Sequence, residues 1–326
     1  MQNKINWISI LQGWAMFLVV IGHVNLTGIF LDSQTPITSI IQKTIYSFHM
    51  PLFMFISGML FWETRLKRDW NYKNILIDKA KRLLVPYFFF TVATFFIKLV
   101  ASKFIYRPVD LNISYILRMF IIPDENPLGE LWFVLVLFII FAFYPITQIV
   151  KNEKQIISYI ILVLSFLVSF FVPKTIRILA FSKVCYYYVF FLAGVLFMKA
   201  NVNEYLNNIY ICILSIIIFS ILTIFRTNSY IIIFAGIFMS CCLAVFFDRF
   251  LPNLFFTFRN YTFQIFLFGI FFQVGVRIIY QKLGMQSLYF PFYLIDMIAG
   301  LYIPVLISLI IKKIGNQYLK LICGLK

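Results

Sequence analysis

Apolar positions in this chain neither alternate with polar ones nor mark a single helical face. They run on for about 17–25 residues at a time, the length that carries an α-helix across a hydrocarbon core. Ten such stretches lie at roughly 7–26, 37–62, 83–101, 130–150, 155–173, 185–200, 208–225, 229–247, 261–280 and 290–311. Continuous apolar runs predict helices, because a membrane barrel strand would show a two-residue period. The longest interruption, about 102–129, holds its own apolar piece, ISYILRMFII, and predicts a short interfacial or re-entrant helix. The first run has no small-residue cleavage site and carries Gln12 and His23, so it reads as a retained helix and not as a signal peptide. The expected fold is all-α: one polytopic membrane bundle of about ten helices, with a single domain over 1–326.

Composition agrees. Hydrophobic residues make up 62% of the 326 and charged residues 12%, with a mean hydropathy of +0.93. No soluble core could hide that much apolar surface. The net charge of +16 would suit nucleic acid, but its location argues for a bilayer. With both termini in the cytoplasm, most Lys and Arg fall on cytoplasmic segments, as the positive-inside rule requires. That bias fits a prokaryotic plasma membrane. The densest run, ETRLKRDWNYKNILIDKAKR at 63–82, includes Arg65, Lys79, Lys81 and Arg82. It suits anionic lipid head groups first and, beyond them, a phosphate-bearing cytosolic ligand. The five cysteines have no CxxC spacing, and two histidines alone make no zinc site, so no metal is expected.

Chemistry concentrates on those two histidines, His23 and His49, both inside apolar runs. Ionisable groups at membrane depth are functional candidates, and imidazole exchanges protons near neutral pH. A first helix rising outward puts His23 in its external third and Gln12 about 16 Å lower at 1.5 Å per residue. The second helix descends, so His49 falls near the middle, just before Pro51, where a kink is expected. The tenth brings Asp296 to nearly the depth of His23, with Lys43 and Glu130 at similar height. A carboxylate there could orient an imidazole.

The strings ILQGWAMFLVVIGHV, FHMPLFMFISGMLF, KRLLVPYFF, GELWFVLVLF, YYYVFFLAGVLF and RNYTFQIFLFG follow one another as they do in the integral-membrane acyltransferase-3 family. The chain resembles its fucose 4-O-acetylase and surface-polysaccharide O-acetyltransferase branch. The resemblance implies transfer of an acyl group from cytosolic acyl-CoA, usually acetyl-CoA, to a hydroxyl of a sugar or polysaccharide. It makes His23 the catalytic candidate and His49 a second signature position. Where such proteins place an arginine eleven residues before the first histidine, this chain has Gln12, and where many carry a histidine it has Gly269. Glutamine supplies hydrogen bonds but no cation.

Acyl transfer needs a base for the hydroxyl proton and donors for the oxyanion. His23 fits the first role; Asn25, Ser57, Gln12 or His49 fit the second. Ser57-Gly58 also suits close helix approach. Trp132 beside Glu130 suits an interfacial anchor or a sugar-stacking platform. A flippase of lipid-linked sugars, or a non-catalytic subunit of a polysaccharide assembly machine, would share the many helices and the basic face.

Overall fold

A computed structural model describes residues 6–24, 36–100, 109–225, 229–284 and 289–325. Helices account for the regular structure, and among the described residues there is no strand. In chain order they are α1 (Asn6–His23), α2 (Pro36–Thr64), α3 (Tyr72–Lys79), α4 (Val85–Val100), α5 (Ile113–Ile121), α6 (Trp132–Ala142) and α7 (Tyr144–Asn152). There follow α8 (Gln155–Phe171), α9 (Phe181–Lys199), α10 (Ile209–Ile224), α11 (Ser229–Phe250), α12 (Thr262–Leu283), α13 (Tyr289–Ile314) and α14 (Gln317–Ile322).

Each of the ten apolar stretches has a helical counterpart. Among the described residues seven helices are long and apolar enough to cross a bilayer, and α6 with α7 forms an eighth candidate bent by 53°. The shorter apolar helices α8 and α10 answer the other two stretches. The bend has a local cause: Pro145 in the first turn of α7 has no N–H to continue the α6 ladder. α5 is the short helix expected in the long interruption. α2 runs unbroken through Pro51 for 29 residues, because a proline in a long apolar helix removes one hydrogen bond without ending it. A π-helical turn, Ala80–Leu84, joins α3 to α4 in one continuous span. Such wide turns insert a residue into the helix and often mark functional positions.

The described chain divides into two compact units, Met1–Ile56 with Ala200–Lys313, and Ser57–Lys199 with Ile314–Lys326. In the first, α1 packs on α11 and α12, and α10 on α11. Its core gathers Met16, Val20, Phe258, Ile265, Leu301 and Val305. At the start of α1, Asn6 donates to Asp248 at 2.5 Å and accepts from Arg259 at 2.8 Å. Arg259 also donates to the carbonyls of Pro252 and Leu254. Burial pulls this guanidinium below its usual range, and Asp248 opposes the shift. In the second unit α8 and α6 pack on α9, around the buried rings of Phe61, Phe141, Tyr144 and Phe191.

Glycines set the closest approaches. A Cβ on Gly58 would fall 2.0 Å from the carbonyl oxygen of Phe191, and one on Gly269 would fall 2.9 Å from that of Gly300. Backbone therefore lies on backbone at both points, the packing that small residues allow where no hydrophobic effect drives helices together. At Gly269 any larger side chain, histidine included, meets the α13 backbone.

Candidate active site

His23 is the last residue of α1, and an α-helix leaves its final carbonyls without intrahelical donors. Here the carbonyls of the last turn each find a donor. The His23 ring turns back along its own helix, and Nδ1 meets the Val19 carbonyl at 2.8 Å. Gln273 on α12 donates to Val20 at 3.0 Å, and the backbone N–H of Val24 donates to Ile21 at 3.1 Å. Gln42 on α2 donates to Gly22 at 3.0 Å, and Arg277 on α12 donates to the carbonyl of His23 itself at 3.2 Å. Three side chains from two other helices thus form a collar around the turn that carries the imidazole.

The collar depends on small residues. A Cβ on Gly300 would sit 2.9 Å from the Gln273 side chain and 3.1 Å from Val20, so glycine leaves the amide room to reach α1. A Cβ on Gly22 would fall 3.1 Å from Ile45, which brings α1 against α2 beside the second histidine.

The hydrogen bonds set the tautomers. A carbonyl oxygen only accepts, so Nδ1 of His23 carries the proton, and in the neutral ring Nε2 carries the lone pair. His49 repeats the pattern one helix away: its Nδ1 donates to the Ile45 carbonyl at 2.9 Å, and the residue is buried at 2% exposure. Tyr46 links the two rings. Its centroid lies 5.8 Å from that of His23 and 4.9 Å, edge-on, from that of His49. With Tyr46 45% exposed, the two imidazoles stand against a side chain open to the outside of the unit.

Asp296 on α13 is completely buried, and neither carboxylate oxygen has a hydrogen-bond partner. The His23 Nδ1 position is taken by the Val19 carbonyl, so neither oxygen of Asp296 meets it. Gln12 lies lower on α1, half-buried, with its Oε1 buried and without a hydrogen-bond partner. Asn25 lies outside the described residues.

The remaining predicted positions belong to the second unit. Much of the basic run is engaged within the protein. Arg65 pairs with Asp78 at 2.7 Å and lies 3.8 Å from the Trp70 ring centroid, Lys67 pairs with Glu63 at 3.2 Å, and the Lys79 ammonium lies 3.8 Å from the Phe141 ring centroid. Lys81 is exposed and Arg82 half-buried, both on the π-helical turn. Ser57 and Glu130 are half-buried. Trp132 stacks on Tyr187 at 5.1 Å and lies 4.8 Å beneath the Lys183 ammonium. Around it Lys183 pairs with Asp124, Arg177 with Asp124 and Glu125 at 3.7 and 3.5 Å, and Arg118 with Glu125 at 3.3 Å.

Sequence reasoning missed Tyr46, Gln42, Gln273 and Arg277. Tyr46 lies three residues before His49, so helical spacing could have flagged it. Arg277, an ionisable residue in an apolar run, carried the same signal as the histidines.

These elements define a polytopic helical membrane protein with a paired-imidazole site. The family pattern described as an acyltransferase domain matches residues 5–309, and the chain belongs to that family. Among curated proteins it is similar to nodulation protein NolL of Sinorhizobium fredii, 30% identical over 205 residues, which is 63% of this chain and 51% of that protein. It is also similar to nodulation protein NolL of Mesorhizobium japonicum, 28% identical over 188 residues, 58% of this chain and 46% of that protein. The chain spans about half the length of these curated relatives. No solved structure matches it.

Proposed function

We propose that the protein is a membrane O-acyltransferase that moves an acetyl or other short acyl group from acyl-CoA to a hydroxyl of a cell-surface sugar or polysaccharide. One observation carries the reading: two membrane-embedded imidazoles share one tyrosine, and each has its Nδ1 proton tied to the preceding turn. In its neutral form each ring then carries its lone pair on Nε2. Membership of an acyltransferase family supports it.

In this mechanism Nε2 of His23 takes the proton of the acceptor hydroxyl as its oxygen attacks the thioester carbonyl carbon. The C–O bond forms, and the carbonyl electrons move to oxygen. The oxyanion collapses, the C–S bond breaks, and the departing thiolate receives the proton from the His23 imidazolium. His49 positions the reacting groups and lends polarity at the second ring. The phosphates of the donor engage Lys81 and Arg82, a charge-assisted contact of the kind that recognises phosphate. Trp132 and Glu130 contribute to holding the acceptor. The chain works as one acyltransferase domain in a prokaryotic plasma membrane, with the termini in the cytoplasm.

The test is acyl transfer by the purified chain in lipid nanodiscs, with isotopically labelled acetyl-CoA and a panel of sugar acceptors. His23→Ala removes the base without adding charge to the bilayer. Loss of a general base typically costs about 10²–10⁴-fold in rate. A His23→Ala protein that inserts normally and transfers acyl groups at the wild-type rate would refute the mechanism.

A further inference from the structure

Arg277 stands on α12 inside an apolar span, 254 residues from the histidine whose carbonyl it meets. An arginine at that depth is expensive unless it is paired, and such residues mark working sites. It donates to the last carbonyl of α1, where a cation also meets the negative end of the helix dipole.

We propose that Arg277 is the positioning residue of the site, fixing the His23 imidazole by capping α1 at that residue. The catalytic consequence rests on the acyl-transfer reading above; the positional claim does not. Removing the guanidinium releases the end of α1 and lets the ring leave its fixed direction. Gln42 and Gln273 hold the neighbouring carbonyls but carry no charge to meet the helix dipole.

The presence of only two histidines makes a direct test practical. The full chain, labelled with ¹⁵N-histidine in nanodiscs, gives two sets of ring signals, assigned with His23→Ala. Variants Arg277→Gln and Arg277→Lys are compared by these spectra and by steady-state kinetics. In Arg277→Gln the His23 signals should move while those of His49 stay. The kcat should fall about 10–100-fold, the usual size for loss of a group that orients a functional side chain, with KM for acetyl-CoA unchanged. Lysine, which keeps the charge but offers a single donor point, should restore part of kcat.

An unmoved His23 signal in folded Arg277→Gln overturns the positional claim, whatever the activity shows. If Arg277→Gln fails to insert, Arg277→Lys decides: its His23 signals must still shift, and identity with the parent overturns the proposal. Should His23→Ala keep full activity, the acyl-transfer mechanism fails while the spectra still judge the placement of His23.

Discussion

Gly58→Ala is the most severe single change the packing predicts. The added methyl would lie 2.0 Å from the carbonyl oxygen of Phe191, 2.9 Å from its carbon and 3.1 Å from the backbone nitrogen of Val195. All three are backbone atoms of α9, so no side chain can swing aside. Restoring an ordinary 3.4 Å contact from 2.0 Å means parting α2 and α9 by the difference, about 1.4 Å, and a gap of that size forfeits over half of each dispersion contact across the seam. With on the order of 50 heavy-atom pairs at ~0.15 kcal/mol each, the loss is about 4 kcal/mol. That is a large share of the ~5–15 kcal/mol that holds a typical protein together. The contacts at stake include Phe61 against Phe191, whose ring centroids lie 5.6 Å apart.

The assay is thermal stability of the detergent-purified protein, read as the surviving monodisperse fraction after heating. Gly275→Ala is the control, because a Cβ there meets nothing within 4 Å. Within α12 the alanine should be neutral or stabilising by up to ~1 kcal/mol. A Gly58→Ala protein as stable as the parent would show that α2 and α9 do not approach as described.

Gly300→Ala should push the buried Gln273 side chain away from Val20, lowering kcat several-fold and costing about 1–3 kcal/mol of stability through the amide and carbonyl left unpaired; an unchanged kcat would remove Gln273 from the collar's function. Neutralising Lys81 and Arg82 together should raise KM for acetyl-CoA and flatten its salt dependence, since screened charge contacts are being removed. Unchanged KM with poor or inverted insertion would return these residues to setting topology. Trp132→Ala should raise KM for the acceptor and leave that for acetyl-CoA unaltered; equal effects on both would make the indole an anchor stacked on Tyr187 and nothing more.

The helices were legible in the sequence because hydropathy is a property of each segment by itself: an apolar run of sufficient length must satisfy its backbone internally wherever its neighbours lie. The same locality made His23, His49 and Asp296 visible as ionisable groups in apolar surroundings. Even the tautomers follow from local geometry, since each ring reaches back four residues along its own helix. What the sequence left open was which groups meet. A lipid-facing side and a helix-facing side are equally apolar, so nothing in the runs marks Gly58 as crowded and Gly275 as clear, or tells Arg277 from a residue that snorkels to the interface. Tertiary packing decided that the end of α1 is capped by Gln42, Gln273 and Arg277, and that Tyr46 stands between the imidazoles. Those pairings depend on the rotation and close approach of whole helices, fixed by small residues and buried hydrogen bonds far apart in the chain.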